Sequence, residues 1–363
     1  MKTQKKLRDF ILSALPGGWA RRISTTLVQR HCSHTILSFP PSCADFKSLL
    51  IILPQNPRQA LLQTAHLQAL LTSFDHSTIT LLCTHDVADF LKHFSNSTTI
   101  IAYDPDTFKI FSSQHAAVAH SLHQQSFDLC IMLEQEPVAA LEHLCGMSAA
   151  PYRIGYSDGA SYPFTNCHIR PSASPAYLPE QYGAIARMLG SSVKKGARCA
   201  VSKEIMTEVQ MLLRELGLSA TAQAPLYGID APYFYQNFTP QWTAMLLQAL
   251  AQGSGARFYA FNEGSEGIGD WLHGQGVSVL PPQSASRQAA LLLSSSSFIA
   301  GNSATFQLAA IFNAPCIGLF EQGELGAFCK PQKAIHALTY CQAPDSATID
   351  AVVKQLTAAV AEA

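Results

Sequence analysis

The sequence predicts an α/β chain built from two doubly wound domains. Three observations lead there. Short apolar runs alternate with helical patterns from about residue 48 to the C-terminus. Those runs fall into two sets, separated by residues 168–179, where Pro171, Pro175 and Pro179 stand among Ser and Ala and read as a linker. Finally, 363 residues, 48% of them hydrophobic and 13% charged, are enough for two ordinary cores.

In the first set, strands are expected at 48–53, 78–83, 98–103, 127–133 and 152–156, with helices at 59–73, 87–94, 107–125 and 137–145 between them. Helices are expected at 180–189 and 202–216 after the break. The second set has strands at 225–229, 257–261, 277–280, 298–300 and 316–320, helices at 241–251, 267–273, 286–293 and 304–312, and a last helix at 347–361. Near-continuous apolar strands alternating with helices imply parallel sheets covered on both faces. Such domains bind ligands beyond the carboxyl ends of their strands, so chemistry is expected in the cleft between the two.

Residues 1–30 carry Lys2, Lys5, Lys6, Arg8, Arg21, Arg22 and Arg30 against one acid, Asp9. Leu7, Phe10, Ile11, Ala14 and Leu15 share one helical face until Pro16-Gly17-Gly18 ends the pattern, and Trp19 opens a second basic stretch. The apolar run is too short for a signal-peptide core or a bilayer span, so a cytoplasmic location is expected. A basic amphipathic segment suits the anionic inner membrane surface, and it suits packing on the body of the protein equally well. A net charge of -1 makes the whole chain no match for nucleic acid. The uncharged stretch 288–320 is broken by Ser294–Ser297, Gly301-Asn302-Ser303 and Pro315, and reads as strand, helix, strand.

Few motifs carry chemistry by themselves. The ten cysteines are irregularly spaced with no C-x-x-C, which suits buried thiols rather than zinc or redox sites. His120 and His123 lack a third ligand, so no metal site is expected. Gly155-Tyr156-Ser157-Asp158-Gly159 matches G-x-S-x-G, but the residues after it are not helical, as a nucleophile elbow requires. Asp104-Pro105-Asp106 reads as a turn, ahead of a cation site bridging a diphosphate. Dinucleotide and P-loop fingerprints are missing. Gly301-Asn302-Ser303, between a strand and a helix, fits plain capping and also a phosphate seat at a helix N-terminus.

Residues 297–320, SFIAGNSATFQLAAIFNAPCIGLF, resemble the donor-site segment of family 9 glycosyltransferases, the bacterial heptosyltransferases, which have a strand, a G-N-D-[ST]-G-x-x-H-L-A-A stretch and a strand ending in Leu-Phe. In the same order, 49–71 is similar to their first strand and helix, 127–133 to their F-D-L strand, Arg153-Ile154-Gly155-Tyr156 to their R-I-G-[FY] segment, and 238–250 to their W-P-x-E-x-[WF] helix. The resemblance implies a GT-B fold, two Rossmann-like doubly wound domains facing across a cleft. It divides the chain into a basic amphipathic extension (1–36), an acceptor domain and linker (37–196), a donor-binding domain (197–345) and a C-terminal helix returning to the first domain (346–363). It implies transfer of heptose or a related sugar from a nucleotide diphosphate donor to lipopolysaccharide or another envelope glycan, with no metal and no cofactor.

Carried over residue by residue, the resemblance puts the donor against Gly301, Asn302, Ser303, Ala304, Thr305, Gln307 and Gln236. Arg58, Gln59 and Arg153 are the candidate acceptor residues, the two arginines as partners for an anionic acceptor or a phosphate, and Arg153 reads equally well as a structural ion-pair partner. The departures matter. Where the family has the Asp expected to act as base, this chain has Arg58 or Gln59, and neither is a base at neutral pH. Asn302, Ala304 and Gln307 stand for the family's Asp, Gly and His, and Gln236 for a lysine. Glu134 is the candidate replacement base, because it follows the 127–133 strand; Glu136 and Asp158 are alternatives, and solvated loop charge is the plainer reading of all three. Three functions stay open: a transferase, an inactive homologue that binds or scaffolds, and, with least support, a serine hydrolase using Ser157.

Overall fold

The computed structural model describes residues 17–31, 45–92, 98–156, 161–170, 178–191, 201–220, 224–261, 268–329, 334–340 and 346–362. The chain forms two compact units, the first Met1–Ser174 with Pro179–Ala197, the second Pro175–Leu178 with Arg198–Ala363.

The first unit runs α1 (Gly17–His31), β1 (Ser48–Ile52), α2 (Pro57–Leu62), α3 (Thr64–Ser73), β2 (Thr78–Thr84), α4 (His85–Leu91), β3 (Thr98–Tyr103), α5 (Ser113–His123), β4 (Leu129–Met132), α6 (Ala139–Met147), β5 (Tyr152–Tyr156), β6 (Cys167–Ile169) and α7 (Leu178–Met188). The second runs α8 (Lys203–Glu215), β7 (Leu226–Ile229), α9 (Ala231–Asn237), α10 (Pro240–Ser254), β8 (Arg257–Phe261), α11 (Ile268–His273), β9 (Val277–Leu280), α12 (Ala285–Ser294), β10 (Ser297–Ala300), α13 (Ala304–Phe312), β11 (Cys316–Glu321), α14 (Leu325–Phe328), β12 (Ile335–Tyr340) and α15 (Ser346–Glu362).

Each unit holds one six-stranded sheet, ordered β3-β2-β1-β4-β5-β6 and β12-β11-β10-β7-β8-β9. Every strand pair is parallel. Counted from its own first strand, each sheet has the same order, and the order reverses between β1 and β4 in one unit and between β7 and β10 in the other. At such a reversal the two following loops diverge to opposite faces and leave a crevice beyond the strand ends. The strands flanking the reversals are the most buried: Leu49, Leu50, Ile51 and Ile52 of β1 and Phe298, Ile299 and Ala300 of β10 have no exposure. This is what their unbroken apolar runs imply, since helices must cover both faces.

The structure departs from the expected elements at several places, the unexpected short helices α9 and α14 among them. The helix expected at 59–73 is divided at Gln63, whose buried side chain donates to the Leu133 carbonyl at 2.9 Å. β6 falls inside the expected linker, and β12 falls where no element was expected. Both are edge strands with mixed burial, so neither shows a clean apolar run.

α1 packs on α6. Val28 is fully buried and lies where a Cβ on Gly146 would be, and Arg21 Nη2 reaches Glu142 Oε1 at 3.0 Å. The second basic stretch is therefore seated on the first unit, while the apolar stripe Leu7–Leu15 lies outside the described residues. α15 packs on α10 and β12, with Ile349 and Val352 in the second unit's core. Among the described residues no helix is long and apolar enough to cross a membrane. The described cysteines are free thiols, and burial pushes the Cys83 thiol up to about 12, which suits packing and not reactivity.

Two buried histidines join α5 to α6, their rings 5.0 Å apart. His115 Nδ1 accepts from the Phe111 amide at 3.3 Å, which leaves the proton on Nε2 to bond the Ala140 carbonyl at 3.2 Å. Neither ring nitrogen of His143 has a hydrogen-bond partner. Burial lowers both pKa values from 6.5 to about 4. The folded state thus favours neutral rings: their contribution is complete above the unfolded value and shrinks as pH falls from there toward 4. We expect His143→Phe to remove one share of this loss. Urea melts near neutral pH and near pH 5 should show the wild type losing on the order of 1–2 kcal/mol more than the variant. Equal losses would contradict the assignment.

Candidate functional site

Each unit brings its own half of the expected chemistry to its strand-order reversal. In the first, the chain leaving β1 as Leu53-Pro54-Gln55-Asn56 meets the chain leaving β4 as Leu133-Glu134. Asn56 caps α2 by accepting from the Arg58 amide at 2.9 Å, and Pro57 opens the helix at a position that needs no N–H. Glu134 is buried at the carboxyl end of β4. Its Oε2 accepts from the Gln55 amide at 2.9 Å and its Oε1 from the Glu136 amide at 3.1 Å. Burial raises its pKa, while those two amides and that of Gln135 pull the other way. Glu134 thus ties the β1 loop to the β4 loop through backbone, with both oxygens engaged.

Gln59 lies across the same crevice, where its Nε2 donates to Glu136 Oε1 at 3.3 Å; Arg58 beside it is half-buried. The structure therefore brings Arg58, Gln59, Glu134 and Glu136 together. Arg153 is a correction. It sits one residue into β5, near the amino end of the strand, and is buried. Its Nη1 donates to the Ala150 carbonyl at 2.7 Å, Nε to Phe164 at 2.9 Å and Nη2 to Pro163 at 3.2 Å. A guanidinium spent on three buried carbonyls braces the following loop and is not presented to an acceptor. Ser157 and Asp158 lie outside the described residues.

In the second unit, β10 ends at Ala300 and Gly301-Asn302-Ser303 turns the chain into α13. Ser303 is the N-cap: its Oγ accepts from the Phe306 amide at 3.2 Å. Gly301 is obligatory for a packing reason, because a Cβ there would lie inside the ring of Tyr233 from α9. That ring is pinned by its hydroxyl, which donates to the Leu319 carbonyl at 3.1 Å and so must accept from Tyr340 at 2.9 Å. Asn302 donates from Nδ2 to Glu324 Oε1 at 3.0 Å. Ala304 is half-buried, Thr305 and Gln307 point into the core, and Gln236 lies exposed on α9 one turn beyond Tyr233.

Sequence reasoning missed Asp230. It follows β7 directly, across the reversal from Gly301, and is only 4% exposed. Its Oδ1 accepts from the Tyr233 amide at 3.3 Å as the N-cap of α9, while Oδ2 has no hydrogen bond of normal geometry. Burial raises its pKa from 3.8 to about 6, against the opposite pull of the neighbouring Ser303 hydroxyl and the Tyr233 amide. The available signal was an acid ending an apolar strand immediately before Ala-Pro. It reads as an ordinary cap until the strand order places it beside the Gly301 turn.

These two units resemble solved glycosyltransferases. A family 9 glycosyltransferase from Veillonella parvula superposes with a TM-score of 0.70 over 87% of this chain and 98% of its own, at 15% identity. The E. coli ADP-heptose lipopolysaccharide heptosyltransferase II gives 0.70 over 87% and 99%, at 14% identity. The E. coli heptosyltransferase WaaC with ADP-2-deoxy-2-fluoro heptose gives 0.64 over 86% and 99%, at 14% identity. The fold is GT-B. No protein-family model and no curated protein matches the sequence. The GT-B likeness thus lies in backbone topology, at identities where side-chain roles do not transfer by position.

The packing of Tyr233 on Gly301 is directly testable in this GT-B unit. Gly301→Ala should destabilise the protein by about 2 kcal/mol or more, because the ring is held at its far end and cannot yield freely. Adding Tyr233→Ala should recover much of the Gly301→Ala loss in a double-mutant cycle of chemical denaturation. Additive losses would separate the two residues.

Proposed function

We propose that the protein is glycosyltransferase-like, and that its second unit receives the diphosphate of a nucleotide sugar at the start of α13. The observation that carries this is the Gly301-Asn302-Ser303 turn at the β7/β10 reversal, with Ser303 capping a helix whose first amides face the strand ends. Helix N-termini in this position attract phosphate through unsatisfied N–H groups and the helix dipole. The donor we propose is a nucleotide diphosphate heptose or a related sugar, the class carried by the WaaC neighbour. The acceptor is lipopolysaccharide or another envelope glycan. We place the reaction at the cytoplasmic face of the inner membrane, a reading supported by the exposed Arg22 and Arg30 of α1, and we propose that it needs no resident metal or cofactor.

Glycosyl transfer breaks the bond between the sugar and the diphosphate, and negative charge grows on the departing phosphate. The α13 N-terminus and the Ser303 hydroxyl are preorganised donors for that charge. The acceptor hydroxyl must lose a proton. Glu134 is the carboxyl at the first unit's crevice, and burial raises its pKa. The two amides it accepts leave the carboxylate with further acceptor capacity, so an acceptor hydroxyl can approach without displacing them.

A second reading is favoured by that same geometry. The Pro54–Gln59 loop has no acid, and both oxygens of Glu134 are engaged by backbone. A protein that binds nucleotide sugars without transferring them would look like this. Calorimetric titration with ADP-, GDP- and UDP-sugars decides whether the seat exists; we expect one class to bind and Ser303→Ala to weaken it about tenfold, the worth of one charge-assisted hydrogen bond. Turnover with a lipid-linked acceptor, unchanged by chelator and lost in Glu134→Ala with folding intact, supports the transferase. Binding without turnover supports the second reading, and no binding of any nucleotide sugar removes both.

A further inference from the structure

The start of α13 already has an anionic neighbour of its own. Asp230 approaches from β7, its carboxyl buried beside the Ser303 hydroxyl, with no hydrogen bond of normal geometry at Oδ2. The Ser303 hydroxyl has one hydrogen. Its oxygen is occupied in accepting the Phe306 amide, so the hydrogen goes either to Asp230 or to a ligand. An ionised Asp230 takes it and also cancels the positive end of the helix. A neutral Asp230 takes neither.

Building on the proposed donor seat, we propose that Asp230 is a positioning residue acting through Ser303: phosphate binding at the start of α13 requires Asp230 in its neutral, protonated form. The competition is for one hydrogen and one dipole. A diphosphate bringing two negative charges beside a buried carboxylate meets repulsion that solvent hardly screens. Protonation removes the charge and leaves Asp230 with a hydrogen of its own to donate.

Among the described residues, the titratable groups around this carboxyl and its neighbour Tyr233 are few. Tyr233 on α9, Cys316 on β11 and Tyr340 on β12 are all pushed upward, by burial first, and remain neutral through the physiological range. Glu324, ahead of α14, is the other carboxyl near Tyr233; it holds the Asn302 side chain and the Glu321 amide. Asp230, whose pKa burial raises to about 6, is thus positioned to titrate between weak acid and neutral pH. The sign follows: the neutral form is populated below that value and lost above it, so affinity should fall as pH rises.

Titration calorimetry with ADP-glucose and UDP-glucose tests this, because both phosphates of a nucleotide sugar keep a constant charge from about pH 5 to pH 8. The wild type should bind roughly 10- to 100-fold more tightly at pH 5 than at pH 8, the range expected when the competent form falls from most of the population to about one part in a hundred. Asp230→Asn should bind at pH 8 nearly as tightly as the wild type does at pH 5, with a flat profile. Glu324→Gln should keep the slope. If Asp230→Asn fails to fold, the carboxyl carbon shift of Asp230, followed by NMR in the wild type with and without ADP-glucose, carries the test: the ligand should raise the apparent pKa. Binding with no pH slope, a slope that survives in Asp230→Asn or vanishes in Glu324→Gln, or an unmoved Asp230 titration would overturn the proposal and leave the donor seat standing. No binding at either pH, in any variant, would remove the seat itself.

Discussion

Parallel pairing of β1 with β4, and of β7 with β10, is the constraint on which the rest depends. A parallel strand pair needs a crossover, and the crossovers on either side of these pairs run in opposite directions. The four strands are therefore covered on both faces, which is why they are unbroken apolar runs with almost no exposure. The same reversal separates the outgoing loops and aims the first turn of the next helix at the gap. Position, not composition, makes Gly301–Ser303 and Pro54–Gln59 candidates for binding.

The two units use this shared geometry with different chemistry. Each has one buried carboxyl at its reversal, but on different strands: Glu134 follows the fourth strand of its sheet and Asp230 the first of its own. Glu134 receives amides from both loops and closes them together. Asp230 receives one amide and keeps an oxygen unsatisfied. Burying a carboxyl costs most when its hydrogen bonding is incomplete, and burial raises the Asp230 pKa to about 6. It is also the one that faces a helix start. Arg153 shows the opposite outcome: a charged group in a family-like motif that gives three of its donors to backbone carbonyls on either side of β5.

The inner strands were legible in the sequence because burial on both faces leaves a run such as Leu49–Ile52 with nothing polar in it. β6 and β12 were not, since an edge strand has one paired side and mixed burial, and His168 or Thr339 there carries no penalty. The Gly301 turn was legible as a cap. That its glycine exists to admit the Tyr233 ring was not, because the two residues are far apart in sequence and meet only through the β7–β10–β11 order. Which of the two readings of Arg153 applies was hidden for the same reason: its partners are three backbone carbonyls, and local sequence does not name them.

By itself, the sequence determined the alternation of elements, the two sets of strands and the strand-to-helix turn at residues 300–304, because each follows from local periodicity and from which residues can cap or break a helix. Only the tertiary structure decided which strands are neighbours. That decision brought Asp230 beside Ser303, tied Glu134 to Gln55 and seated α1 on α6. A carboxyl's chemistry depends on which amides, hydroxyls and apolar groups surround it, and those partners are supplied by strand order and packing rather than by adjacency along the chain.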